Sequence, residues 1–262
     1  MLFYYIMGGN FLMIDTHCHL LKEYYHNLDD TFNELKKNNI NAVIVNGCDK
    51  DSNNEVLEIV KKYDMAYGAI GFHPTELENI EDDDLKWLED NLQKDKIVAI
   101  GEIGLDYHYE NTNKEKQKYF FKKQLLLAQK YDKPVIIHSR DAILDTYNIL
   151  SSIKVRGVLH CYSGSLEMAK EFTKIGYFLG IGGIITFKNA KNIIEVIKNI
   201  DSKYILLETD SPYLSPEPYR GQINTPVYLK YILEKISEFK NVDFKEMERI
   251  TNLNARRLFD FK

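Results

Sequence analysis

Residues 11–19 read Phe-Leu-Met-Ile-Asp-Thr-His-Cys-His, an apolar run that ends in a cluster of metal-ligand types. An extended strand alternates its side chains between two faces, so Asp15, His17 and His19 are predicted to share one face, with the two imidazoles converging on one point. Other apolar runs along the chain end in the same way, at Ile-Gly-Glu102, Ile-Ile-His138, Val-Leu-His160 and Leu-Glu208-Thr-Asp210. A single polar residue at a strand end is an ordinary cap. Five runs ending only in His, Glu or Asp point to a metal site.

Working outward, eight β-branched or apolar runs are found, at 11–16, 42–46, 66–72, 97–102, 134–138, 157–160, 177–182 and 205–208. Segments of helical period lie between them: Leu85, Leu88 and Leu92; Phe121, Leu125 and Ala128; Ile143, Tyr147 and Leu150; Met168, Phe172 and Ile175; Ile193, Ile197 and Ile200. Asp141, Ser165 and Asn189 are placed to cap helices, and Asp243 with Glu246 resembles a capping box for the last one. Alternating strands and helices predict a parallel sheet, and eight strands predict a TIM (β/α)8 barrel, with the polar run ends gathered on its C-terminal rim. A doubly wound open sheet is the alternative, but no glycine-rich phosphate loop follows the first run. No linker or repeat divides the chain, so residues 13–262 are read as one domain and 1–12 as an N-terminal extension.

At 262 residues, with 44% hydrophobic and 28% charged side chains, the chain has the make-up of a globular protein and excludes disordered and disulfide-scaffold classes. Its 34 basic and 39 acidic residues leave a net charge of −5, so a nucleic-acid partner needs a local site rather than a general positive field. Activity is expected to fall steeply with salt if phosphate contacts dominate. Three cysteines at wide spacing form no disulfide framework and fit a reducing compartment. The apolar start of the chain is too short to span a bilayer and lacks a signal peptide's basic region, so a cytoplasmic monomer with no membrane partner is expected.

Four imidazoles and two or three carboxylates exceed what one tetrahedral ion needs, and a carboxylate from a central strand can bridge two. Two cations about 3.5–4 Å apart can hold a hydroxide between them and neutralise the attacking and leaving oxygens of a phosphodiester. Ligation by His and carboxylate suits Mg, Mn or Zn. Strand parity turns Cys18 away from the histidine face, and Cys161 is likewise read as packed rather than ligating. His73, in Gly-Phe-His-Pro, reaches the same rim, as a substrate contact or a structural hydrogen bond. Arg140 and Arg220 are placed to offer forked donors to a phosphate, Arg220 ahead of Arg140 because Asp141 adjoins the latter.

Six segments, Ile-Asp-Thr-His-Cys-His-Leu, Gly-Phe-His-Pro, Gly-Glu-Ile-Gly-Leu-Asp-Tyr, Val-Ile-Ile-His-Ser-Arg, Leu-His-Cys-Tyr-Ser-Gly and Leu-Glu-Thr-Asp-Ser-Pro-Tyr-Leu, stand in this order. Together they resemble the TatD family of metal-dependent deoxyribonucleases, within the amidohydrolase-like TIM barrels, from Met13 to about Phe259. The resemblance implies that His17, His19 and Asp210 hold one metal, that His138 and His160 hold the other, and that Glu102 bridges them. It also implies that His73 and Arg220-Gly221 contact substrate phosphate and that Glu208 helps hold a third ion. Members often carry a second basic residue after this Arg-Gly pair, whereas Gln222-Ile223-Asn224 supplies none.

The expected activity is hydrolysis of DNA at single-stranded or frayed ends, from the 3′ side as the resemblance implies, with Asp210 taking the proton of the attacking water and Glu102 supporting it. One alternative is an ester or amide hydrolase such as an aminoacyl-tRNA deacylase, because the same activated water attacks a carbonyl carbon. A second is a metal-binding interaction protein without turnover.

Overall fold

A computed structural model describes residues 13–261. The extension at 1–12, and with it the first two residues of the predicted first strand, lie outside the described residues. Eight parallel strands form one sheet in chain order: β1 Met13–Cys18, β2 Ile40–Asn46, β3 Ala66–Ile70, β4 Ile97–Asp106, β5 Val135–Arg140, β6 Gly157–Leu159, β7 Phe178–Ile181 and β8 Ile205–Leu207. The helices that alternate with them are α1 Leu28–Lys37, α2 Lys50–Lys62, α3 Asp82–Asn91, α4 Lys114–Lys130, α5 Ile143–Ser152, α6 Leu166–Lys174, α7 Lys191–Asn199 and α8 Leu229–Lys240, with α9 Phe244–Leu258 added at the end. The sheet closes on itself through a parallel bridge between Cys18 and Ser211, and through Asp210 N–H donating to the His17 carbonyl and His19 N–H to that of Ser211. The fold is the expected TIM barrel.

Strand alternation sorts the apolar side chains into two cores. Val43, Val45, Val135, Ile137 and Leu207 pack outward under helix residues such as Val56, Leu88 and Phe121. Ile14, Ile44, Val98, Ile136, Val158, Phe178 and Leu206 form a second cluster with Ala255, Leu258 and Phe259 at the end of α9. Because Ile14, Val98 and Phe178 stand near the starts of their strands, this inner core fills the lower barrel, and α9 covers it. Fully burying one such side chain contributes about 1.5–3 kcal/mol, so the lower layers can support an upper layer made of polar groups.

Local signals held in part. Ser165 and Asp243 do cap α6 and α9, the first accepting from Met168 N–H and the second from Lys245 and Glu246 N–H. Glu246 completes no capping box, because its carboxylate pairs with Arg249. Asp141 and Asn189 are not caps: α5 and α7 begin after Ala142 and Ala190. Ile175 lies past the end of α6 and is exposed, while Ala169, Phe172 and Thr173 form the buried face of that helix. Among the described residues no helix is long and apolar enough to cross a membrane.

Candidate metal centre

Above the inner core, where aliphatic side chains give way, His17, His19, Glu102, His138, His160 and Asp210 meet. Glu102 is at the middle, and its two oxygens face different partners. Oε2 lies 3.4 Å from His17 Nε2 and 3.6 Å from His19 Nε2. Oε1 lies 2.9 Å from His138 Nδ1, 2.8 Å from His160 Nε2 and 3.5 Å from His73 Nε2. Asp210 Oδ1 completes the first set, 3.5 Å from His17 Nε2 and 3.6 Å from His19 Nε2. The groups His17–His19–Asp210, His17–Glu102–His160 and His73–Glu102–His138 each bring their ligand atoms within 4.8 Å of one another.

Neighbouring groups set which nitrogen faces inward. His19 Nδ1–H donates to the Asn46 carbonyl at 3.0 Å, which leaves the Nε2 lone pair toward the cluster. His138 places Nε2 3.0 Å from Asp106 Oδ2, so its Nδ1 turns toward Glu102. Asp106 is a candidate site residue the sequence reading passed over. It lies four residues past Glu102, on the same face of a strand that runs four residues beyond the predicted end, and period two would have found it. Gly104 between them has φ 148°, and a Cβ there would overlap the His138 carbonyl oxygen, so only glycine lets β4 and β5 approach this closely.

Buried side-chain amides from helices stand in for strand partners and fix the loops of the rim. Asn53 of α2 bonds both backbone groups of Gly71, and Gln124 of α4 both of Phe72, which holds the turn to His73. Gln117 accepts from Asp106 N–H and donates to the carbonyls of Asp106 and Pro74. Leaving one such buried group unpaired costs about 1–3 kcal/mol, so these amides keep the rim in one arrangement.

Asp15 departs from the expected face. Its carboxylate accepts from the N–H groups of His17 and Thr209 and from the Thr209 hydroxyl, and it stays outside the metal-ligand groups. The register of β1 against β2 shifts between Asp15 and Cys18, which breaks strict alternation there. Cys18 does point away, donating its thiol to the Ile44 carbonyl. Cys48 was not singled out, yet its Sγ lies 3.9 Å from His19 Nδ1 on the cavity wall. Glu208 is fully buried behind His160, 3.7 Å from its Nδ1, and accepts from Cys161 N–H. That places it behind an imidazole rather than on the cavity wall. Arg140 lines the cavity, and Arg220 is stacked 4.3 Å over Phe187 away from it.

The donor set fits divalent cations. Imidazole nitrogens and carboxylate oxygens converge with no lysine or arginine among them, and two nitrogens, His17 Nε2 and His19 Nε2, face each other at 3.1 Å. Burial opposes charge on every member, yet His160, His73 and His17 hold Glu102 well below the usual carboxylate range. Likewise Cys48, Asp210 and Glu102 lift His19 well above the ordinary histidine value against its burial, and Glu102, Glu208 and Asp210 do the same for His160. Protons and cations therefore compete for the same nitrogens. Metal affinity is expected to weaken at least about tenfold per unit as pH falls from about 7 to 5, because each ion displaces one or more protons. Titration calorimetry in buffers of different ionisation enthalpy measures the protons released; none released would mean the ions bind elsewhere.

The family model described as TatD related DNase matches residues 14–260. The chain belongs to the TatD family of metal-dependent hydrolases. Among TatD-like relatives, the uncharacterized metal-dependent hydrolase YabD of Bacillus subtilis is 41% identical over 252 residues, covering 95% of this chain and 99% of YabD. The crystal structure of YjjV, a TatD homologue from Escherichia coli, superposes with a TM-score of 0.91 at 31% identity, covering 95% of this chain and 98% of that one. An uncharacterized amidohydrolase from Saccharomyces cerevisiae shares the fold at 18% identity, with a TM-score of 0.84 over 95% of this chain and all of that one. The TatD assignment and the geometry agree on a metal-dependent hydrolase whose candidate metal ligands sit on the C-terminal rim of the barrel.

Proposed function

We propose that the protein is a divalent-metal-dependent phosphodiesterase that shortens DNA at single-stranded or frayed ends, from the 3′ side. The observation that carries this reading is the split of Glu102, one oxygen toward His17, His19 and the Asp210 side, the other toward His138 and His160. A bridging carboxylate between two imidazole sets suits two divalent ions, Mg, Mn or Zn, and Glu208 behind His160 is the candidate for a third. When bound, such ions act as Lewis acids and make water acidic enough to be a nucleophile near neutral pH.

The chain's own residues then divide the work. Asp210, at the mouth of the cluster, accepts the proton of the attacking water as its oxygen bonds to phosphorus. The bond to the leaving sugar oxygen breaks, and that oxygen takes a proton from the newly protonated Asp210 or from solvent. His73, with Nδ1 tied to Thr75 at 2.8 Å, keeps Nε2 toward the cluster and is placed to donate to a phosphoryl oxygen. Arg140 offers the forked contact to a neighbouring phosphate. Arg220 joins it only by leaving Phe187. The cavity of about 830 Å³ above the metals accommodates a strand end rather than a duplex.

The test is add-back. Chelator-stripped protein is given Mg, Mn or Zn in turn with 3′-labelled and 5′-labelled single-stranded oligomers. Metal-dependent laddering with early loss of the 3′ label is expected. No cleavage under any metal that demonstrably binds would remove the phosphodiester reading, and hydrolysis of an aminoacyl ester by the same preparations would replace it.

A further inference from the structure

Among the described residues the cavity wall carries Glu23, Asp49 and Glu76 against one Lys or Arg side chain, that of Arg140. Counterion release scales with the number of phosphates neutralised, so charge can hold little more than one phosphate here. Apart from the scissile phosphate at the metal centre, something other than side-chain charge must retain a strand. Two exposed aromatic rings line the same cavity. Tyr213 is 48% exposed three residues past Asp210, with its ring 6.1 Å edge-on from His19 and its hydroxyl hydrogen-bonded to Tyr24 at 2.8 Å. Tyr109 is 57% exposed on the loop after β4, with the Arg140 guanidinium 5.8 Å over its ring.

Tyr213 rises from the β8–β1 seam and Tyr109 from the β4–β5 side, which are opposite flanks of an eight-stranded ring. The metal-ligand cluster lies between them. Exposed aromatic rings on either side of a phosphodiester centre are what unpaired bases stack on, without preference for one base over another.

We propose that Tyr213 and Tyr109 are base platforms, each stacking the nucleotide on one side of the scissile phosphate. This rests on the phosphodiesterase reading and names its substrate class: single-stranded nucleic acid with an unpaired base on both sides of the cleaved bond. A base kept inside a duplex stack cannot offer its face to either ring. Tyr24 is a positioning residue that holds Tyr213 through the hydroxyl bond.

Fluorescence anisotropy tests this on manganese-loaded protein carrying Asp210→Asn, so that binding is read apart from turnover. The probes are a labelled thymidine pentamer and the same chain with every base replaced by an abasic tetrahydrofuran unit. The pentamer is expected to bind at least about thirtyfold tighter, given what base–aromatic stacking contributes per base. Adding Tyr213→Ala or Tyr109→Ala is expected to cut that ratio about tenfold, and tryptophan at either position to restore it. A substitution that merely disturbed a loop would weaken both probes together and leave the ratio unchanged. That result, or a ratio near one before substitution, overturns the platforms. Cleavage of the pentamer by the unsubstituted enzyme is scored separately. Base preference without cleavage by any metal keeps the platforms and removes the phosphodiesterase, and cleavage without base preference does the reverse.

Discussion

Glu102→Ala is expected to empty both metal positions and bring turnover to background. Both oxygens of this carboxylate are engaged, with four ligand imidazoles and His73 between 2.8 and 3.6 Å away. No other carboxylate reaches both imidazole sets within the metal-ligand groups found among the described residues. Outer-shell changes in metal sites typically cost about 10–100-fold in affinity, and loss of a shared ligand should exceed that. Metal content after dialysis, read with turnover at saturating metal, checks it. Glu102→Gln provides the graded comparison: its amide keeps one acceptor oxygen and cannot bridge, so one ion at most should remain. Full stoichiometry and normal turnover in Glu102→Ala would mean that the working ions sit elsewhere.

Asp210→Asn is expected to lower kcat about 10²–10⁴-fold, the range for a lost general base, while leaving metal bound. Two structural details make asparagine the informative replacement. Its amide oxygen can still face His17 and His19, where Asp210 Oδ1 sits at 3.5 and 3.6 Å. Position 210 also has φ 57°, a left-handed conformation that asparagine tolerates and alanine does not, at roughly 1–2 kcal/mol. Asparagine therefore removes proton acceptance with little backbone cost. Wild-type kcat in this variant at saturating metal would assign proton acceptance to another group.

The eight strands and the gathering of His17, His19, Glu102, His138, His160 and Asp210 were legible because each signal is local: an apolar run, then a ligand-type residue. What escaped depended on geometry that spacing does not carry. Asp15 left its face because β1 shifts register before Cys18. Asp106 is the exception: period two from Glu102 reaches it once β4 is read to its full length, where Gln117 of a helix eight residues further on holds it. Cys48 reaches His19 from the end of the neighbouring strand β2, a contact set by strand pairing rather than by spacing along the chain. Arg220 has the right residue type on a rim loop, yet its guanidinium rests on Phe187. The exposed tyrosines carry no periodic signature, since each stands alone in a loop.

The seam that closes the barrel ties together residues nearly two hundred positions apart. Thr16 donates to the Leu207 carbonyl across 191 residues, and Thr209 to Asp15 across 194. The same few bonds set Asp210 beside His17 and His19. A ribosome delivers β1 long before β8, and such long-range pairing is slow to form. A nascent or prematurely terminated chain thus presents its early histidines without Asp210. It gains a full ligand set only after β8 has docked against β1, so metal capture marks a closed barrel.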